Sequence, residues 1–324
     1  EKGFAGLRYG AELNTSTEGR LYAKYFERDS SIKATDGSDA GDDWESLRAG
    51  FRIDGNPSQH NSWTLQGDVY DTQENQIVTN RWQDPETFDP ANLDPAIPPG
   101  TFIPTLHPDT SDSIENRGWN LLGRWNHSFN AQSSTSLQVY YDHTERDEIY
   151  LAQKNDTLDI DFQHNLAIGA KQELVWGLGY RHIEDEFDNT YNVSLNPDKR
   201  TLDLYNAFIQ DQIELAPERL FLTIGSKLEH NDYTGYEIQP SIRGLWKPDE
   251  KSSLWGSVSR AVRTPSRVED DVRLVTTSGV ITTGSPVVIP TKVAVYGNDD
   301  FASETLLAYE LGYRIQPREN LSLD

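Results

Sequence analysis

Apolar and polar side chains alternate along this chain in segments of roughly ten residues, each closed by a break, and the unit recurs about fourteen times. Successive side chains of a strand point to opposite faces, so each segment predicts a strand with one apolar and one polar face. In residues 220–229, Leu220, Leu222, Ile224 and Leu228 share one face and Thr223, Lys227 and Glu229 the other. Leu307, Tyr309, Leu311, Tyr313 and Ile315 alternate in the same way with Ala308, Glu310, Gly312, Arg314 and Gln316. Leu158, Ile160 and Phe162 oppose Asp159, Asp161 and Gln163, and Leu174, Trp176, Leu178 and Tyr180 oppose Gly177, Gly179 and Arg181. The pattern predicts strands over 4–13, 19–28, 44–54, 61–71, 116–127, 133–145, 156–164, 171–183, 201–215, 218–231, 235–247, 251–263, 304–316 and from 319 onward.

A soluble sandwich has the same period, so the connections must decide the solvent. They are short at 14–18, 55–59, 128–132, 165–170, 216–218, 247–250 and 316–318, and long at 29–43, 72–115, 184–200 and 264–303, with about ten residues after Asp147. Short turns on one rim and long loops on the other predict an all-β, antiparallel up-and-down barrel of the outer-membrane type. The short link at 231–234 is the one exception, falling where a long loop is due.

Composition is compatible with that reading. Apolar residues make up 35% of the chain, and no apolar run approaches the roughly 20 residues of a spanning helix. A barrel needs apolar side chains only at alternate positions, and 8 Trp and 15 Tyr are available for aromatic girdles at the membrane rims. With no cysteine there is no disulfide framework, thiolate metal site or Cys nucleophile. A formal charge of −23 argues against nucleic acid, whose phosphates need Lys and Arg clusters, so no nucleic-acid partner is expected. Much of the acid falls in the proposed loops, as at 36–45 and 184–188, where a solvated surface is the first reading; the spacing does not follow a calcium loop.

Several segments resemble the TonB-dependent outer-membrane receptors. Residues 257–267, Ser-Val-Ser-Arg-Ala-Val-Arg-Thr-Pro-Ser-Arg, are similar to the strand-to-loop segment those receptors write as Ser-x-x-Phe-Arg-x-Pro, with Val262 in place of Phe. Residues 297–314 resemble the following Asn-Pro-x-Leu-x-Pro-Glu and Tyr-Glu-Leu-Gly-Tyr segment; Asp299, Phe301 and Ser303 depart from its first half, while its second half is intact. Phe208-Ile-Gln-Asp-Gln-Ile213 is similar to another recurrent barrel strand. The resemblance implies about fourteen strands of a 22-stranded barrel, with the plug and TonB-contacting segment expected outside this sequence. It further implies active uptake of a scarce nutrient, such as a ferric siderophore or similar metal chelate. The implied partners are a TonB-type energising protein, the chelate, and outer-membrane lipid and lipopolysaccharide; no cofactor is implied. A passive porin and a soluble β-sheet binding module are the alternatives.

Candidate residues follow from both readings. Pro265 cannot donate to a ladder and should end pairing. Arg260, Arg263, Glu304 and Glu310 are expected on or near the lumen side, with Glu310 in a salt bridge to Arg260 or Arg263. The proline-punctuated stretch 83–100 is too stiff for a strand, and residues 275–295 could form a hairpin above the barrel. Arg81, Trp82, Phe88 and Phe102 in these loops are candidate ligand contacts, since aromatic and Arg groups dominate recognition sites. His143, His182 and His230 fall on non-adjacent strands, too far apart for one metal. Asp159, Asp161, Asp211, Glu229 and Glu310, read on the polar face, fit a hydrolase's carboxylates only as loosely as those of any lumen would, so no catalytic residue is assigned.

Overall fold

The structure is a computed structural model describing residues 2–79, 81–284, 287–318 and 320–324; Glu1 and Glu319, at which the expected last strand begins, lie outside the described residues. In chain order its strands are β1 (Gly3–Asn14), β2 (Thr17–Arg28), β3 (Trp44–Ser58), β4 (Asn61–Val78), β5 (Phe102–Pro104), β6 (Thr110–Asn130), β7 (Ser133–Asp147), β8 (Ala152–Ile168), β9 (Gln172–Asp188), β10 (Val193–Leu195), β11 (Lys199–Ala216), β12 (Leu220–Asn231), β13 (Gly235–Asp249), β14 (Ser252–Arg263), β15 (Val272–Gly284), β16 (Val287–Tyr296), β17 (Glu304–Arg318) and β18 (Leu321–Leu323). A short helix, α1 (Arg267–Asp271), precedes β15. Fourteen strands make one antiparallel, open sheet in the order β1-β2-β3-β4-β6-β7-β8-β9-β11-β12-β13-β14-β17-β18, so every strand of this wall pairs with the next wall strand in sequence. All fourteen expected strands are present.

Ladder register carries each face unbroken around the wall. One row runs Trp63, Trp125, Leu137, Phe162, Leu178, Ala207, Leu228, Ile238, each directly opposite the next. The alternate face carries the row Arg20, Arg52, Gln66, Leu122, Tyr140, Asp159, Arg181. The apolar row is the exposed one: Leu311 is 80% and Tyr309 72% accessible, and Leu178, Ile209, Leu228 and Ile238 are likewise exposed. Contiguous apolar exposure over so many strands is unstable in water and is the surface a barrel turns to hydrocarbon. The polar face, here the lumen face, ties itself together through Arg52–Asp54 at 2.6 Å, Arg181–Asp159 at 2.7 Å and Lys227–Glu229 at 2.7 Å.

Aromatic rings bracket the apolar band on the lipid face. Toward the long loops lie Trp119 stacked on Tyr141 (5.1 Å), Tyr180 against Tyr205 (5.0 Å) and His230 against Tyr236 (4.6 Å). Toward the short turns lie Trp125 with His127 (5.6 Å) and Trp176 with both Phe162 (5.4 Å) and His164 (5.7 Å). On β6, Trp119 and Trp125 are separated by about 20 Å of strand, or about 16 Å of height at a tilt near 40°.

Two differences from the sequence reading have physical causes. β4 and β6 stay paired through Val78 and Thr110, so the connection expected over 72–115 shortens to 79–109, and β9 and β11 likewise extend to Asp188 and Lys199. Beyond the band both faces meet water, apolar alternation is no longer required, and the period that marks a strand disappears. There Asp71, Arg117, Glu145, Lys154, Glu186 and Lys199 form a row of alternating sign, each directly opposite the next. The short link at 232–234 is a tight turn in which Asn231 Oδ1 accepts the N–H groups of Tyr233 (3.0 Å) and Thr234 (2.9 Å).

Candidate ligand-binding cap

Three long loops fold together on the rim. The β15–β16 hairpin, expected near 275–295, forms a second small sheet to which the loop after β4 contributes β5 and the loop after β9 contributes β10. Ser285 and Pro286, at the hairpin tip, lie outside the described residues. Val280, Leu195 and Val275 are the most deeply buried aliphatic residues of this sheet, and Leu93 is buried in the segment packed beside it.

Polar groups register the loops against one another. Ser278, fully buried, donates its hydroxyl to the Gln83 carbonyl (2.9 Å), bonds Tyr191 Oη (3.0 Å) and accepts from Thr105 Oγ1 (3.3 Å). Thr282 donates to the Pro98 carbonyl (2.7 Å) and accepts from the Thr101 N–H (3.1 Å). Asn192 clamps the Trp82 backbone from both sides, accepting from its N–H (2.8 Å) and donating to its carbonyl (3.1 Å). Gly279 is required by close approach: a Cβ there would lie 2.3 Å from the Ile103 carbonyl oxygen and 2.5 Å from the Phe102 ring.

The four candidate contacts all lie in this cap. Arg81 is half-buried, its Nε screened from water without a hydrogen-bond partner. Trp82 forms an isolated bridge with Leu106, and Phe88 ends the first of two 3-10 turns, Pro85–Thr87 and Pro90–Asn92. Phe102 lies on β5 and is 40% exposed. Burial, followed by the charge of Arg81, holds the His107 imidazole below its ordinary pKa. The six connections on the long-loop rim (29–43, 79–109, 148–151, 189–198, 232–234 and 264–303) carry eighteen Asp or Glu against five Lys or Arg, a formal −13 of the chain's −23.

A charged latch joins cap to wall. Arg267 on α1 pairs with Asp185 of β9 at 2.9 Å and with Asp271, donates to the Pro197 carbonyl (2.7 Å) and lies over the Phe187 ring at 5.5 Å. Arg200 of β11 reaches Asp271 (2.8 Å) and Asp270, with the Tyr233 ring 4.8 Å away. Asp185 is 4% exposed in its side chain, and its second oxygen has no partner. Ser266 and Glu269 close α1 with a capping box. The sequence reading gave none of these residues a latch role: Ser266 and Arg267 were only the end of the 257–267 motif and Asp185 part of a solvated acidic stretch, although Ser266-Arg-Val-Glu269 is a readable capping-box spacing.

The lumen motif is partly as expected. β14 ends at Arg263, two residues before the buried Pro265, and Arg263 pairs with Glu304, its register partner, at 2.8 Å and with Glu269. The expected Glu310 salt bridge is not formed. Glu310 lies opposite Ser257, whose hydroxyl donates to it at 2.9 Å. Arg260 is three residues from Ser257, hence on the other face, and it pairs with Glu237 at 3.3 Å. Among the histidines, His143 bonds Asp156 at 2.8 Å and His182 bonds Asp203 at 2.8 Å; no group of three or more metal-binding side chains occurs among the described residues.

Wall, girdles and a folded loop cap together define an outer-membrane barrel of the receptor type. Residues 2–324 match the family described as TonB dependent receptor-like, beta-barrel, and the chain belongs to that family. It is integral to the outer membrane. Over 105 residues it is 32% identical to the iron-regulated outer membrane virulence protein of Vibrio cholerae serotype O1, a stretch covering 32% of this chain and 14% of that protein. Its fold matches the siderophore receptor PirA from Pseudomonas aeruginosa (TM-score 0.68, 16% identity, 98% of this chain and 50% of that one). It also matches a mutant of the ferric enterobactin receptor PfeA from the same organism (TM-score 0.67, 14% identity, 98% and 49%). The chain thus spans about half the length of these solved receptors.

Proposed function

We propose that this chain is the wall and part of the outer mouth of a receptor that takes up a ferric siderophore or similar metal chelate across the outer membrane, driven through a TonB-type partner. The observation that carries the reading is the cap: loops from three separate connections share one buried core and are latched to the rim. A passive pore has no use for such an ordered platform, whereas a receptor needs one to hold aromatic and cationic groups in place. Arg81, Trp82, Phe88 and Phe102 are the proposed contacts. The similarity to siderophore receptors supports the same reading. The net −13 of the loops favours a neutral or cationic chelate over a polyanionic one at low salt, an effect confined to about 8 Å at physiological ionic strength. Lipopolysaccharide would surround the charged row above the outer girdle.

The test is equilibrium binding of ferric chelates of differing charge to the complete receptor in detergent, followed by uptake in proteoliposomes with its energising partner. Binding at micromolar concentration or below, weakened at least tenfold by Trp82→Ala or Arg81→Ala, is expected. Absence of binding by any chelate, with free passage of small solutes, would establish the porin instead.

A further inference from the structure

Within the apolar band of the lipid face one side chain breaks the chemistry. Ladder register places Asp211 of β11 on that face, directly between Leu174 of β9 and Ile224 of β12, with Ile209 and Ile213 above and below it on its own strand. Below the rim carboxylates, the lipid-facing positions of the wall are aliphatic, aromatic, small or neutral polar, apart from Arg260 near the loop end of β14, where it pairs with Glu237, and His127 and His164 in the turn-side girdle; Asp211 is the one carboxylate among the described residues. It makes no hydrogen bond or ion pair, and its Oδ1 is screened from solvent by its neighbours.

Its height is fixed by the turns and the girdle. Asp211 is five residues from Ala216, about 16 Å of strand, or about 13 Å of height at a tilt near 40°. Trp176 lies opposite Ile209, one step toward the loops, and Trp246 lies four residues toward the short turns from Ile242, the register partner of Ile224. Asp211 therefore sits at the level of the turn-side aromatic girdle, where the headgroups of the periplasmic leaflet begin. A carboxylate at that level is within reach of headgroups, and it has no protein partner among the described residues.

We infer that Asp211 is a headgroup site for a periplasmic-leaflet glycerophospholipid bearing a primary ammonium. That cation places N–H donors at the membrane interface, approaches from the side on which the carboxylate opens, and supplies a charge-assisted hydrogen bond to an acceptor that has none. Ser226, the register partner of Ile209, is the nearest outward polar group on the next strand and stands beside the same spot. The inference rests on the membrane placement alone and is independent of which solute is transported.

Phosphatidylethanolamine and phosphatidylcholine share a zwitterionic headgroup, but only the former has N–H donors. Native mass spectrometry of the complete receptor, released from nanodiscs holding the two lipids in equal amount, should show severalfold preferential retention of phosphatidylethanolamine. Asp211→Asn should bring the ratio to near parity while heat-modifiable electrophoretic mobility shows an intact barrel, and Asp211→Glu should retain the preference. Glu310→Gln, on the lumen face, should leave it untouched. Equal retention by the wild-type protein, a preference that survives Asp211→Asn, or an equal loss in Glu310→Gln would overturn the assignment.

Discussion

The wall and the cap use the hydrophobic effect in opposite senses. In the wall, the large apolar side chains Leu178, Ile209, Leu311 and Tyr313 are exposed, and the groups turned inward are Arg52, Asp159, Arg181 and Glu310. In the cap, Leu93, Leu195, Val275 and Val280 are buried and a sheet closes over them, as in a small water-soluble domain. A single chain thus folds against two solvents, and the boundary is where alternation stops predicting strands. Hydrogen bonds divide in the same way: the wall satisfies its backbone by cross-strand pairing, the only arrangement besides a helix that hydrocarbon permits. The cap relies on Ser278, Thr282 and Asn192 to reach backbone groups in other loops.

This contrast implies that each region can be damaged without the other. Arg267→Ala removes the partner of a carboxylate that is 4% exposed, and breaking such a pair costs about 3–5 kcal/mol. Amide exchange should accelerate by that free energy in β10 and β15 while the wall keeps its unfolding midpoint; equal acceleration in both would merge the two regions. Leu311→Arg is the converse change. On the lipid face it should cost about 2–4 kcal/mol in urea unfolding from vesicles and leave the exchange of the cap unchanged.

Acid should loosen the cap selectively. His107 is held below its ordinary pKa in the folded cap, so the unfolded segment, titrating near 6.5, binds the proton more readily. Stability is therefore full above that pH and declines as the pH falls below it. Cap exchange measured at pH 8 and 5.5 should diverge in the wild type and converge in His107→Gln. The smallest effect is expected at Arg263–Glu304, where both side chains are more than half exposed; Arg263→Ala should leave the unfolding midpoint of the wall unchanged through that pair, since solvent screens both charges.

The two regions were unequally legible in the sequence. The wall was open to reading because its solvent imposes a two-residue period on every strand, and the turns add a second signal. What alternation omits is register: opposite partners depend on turn geometry and on shifts such as that between Trp246 and Asp249, so Glu310 could be assigned a face but was given the wrong partner. The cap was less readable. β5 and β10 are three residues each, too short for any period, and they pair with a hairpin more than seventy residues away. The latch brings Asp185, Arg200 and Arg267 together across 82 residues, and no local spacing announces such a meeting. The cap location of Arg81, Trp82, Phe88 and Phe102 came from composition; their role in binding is for the ligand experiment to decide.

The central claim is that the alternating faces of the wall meet different solvents. The chain has no cysteine, so single reporters can be placed at will. Leu228→Cys, Leu311→Cys, Lys227→Cys and Glu310→Cys, each in the complete receptor refolded into vesicles, should be challenged with a lipid-soluble thiol reagent confined to the acyl region. Reaction is expected at positions 228 and 311, with protection at 227 and 310; the reverse pattern, or uniform reaction at all four, would show that the two faces do not meet different solvents.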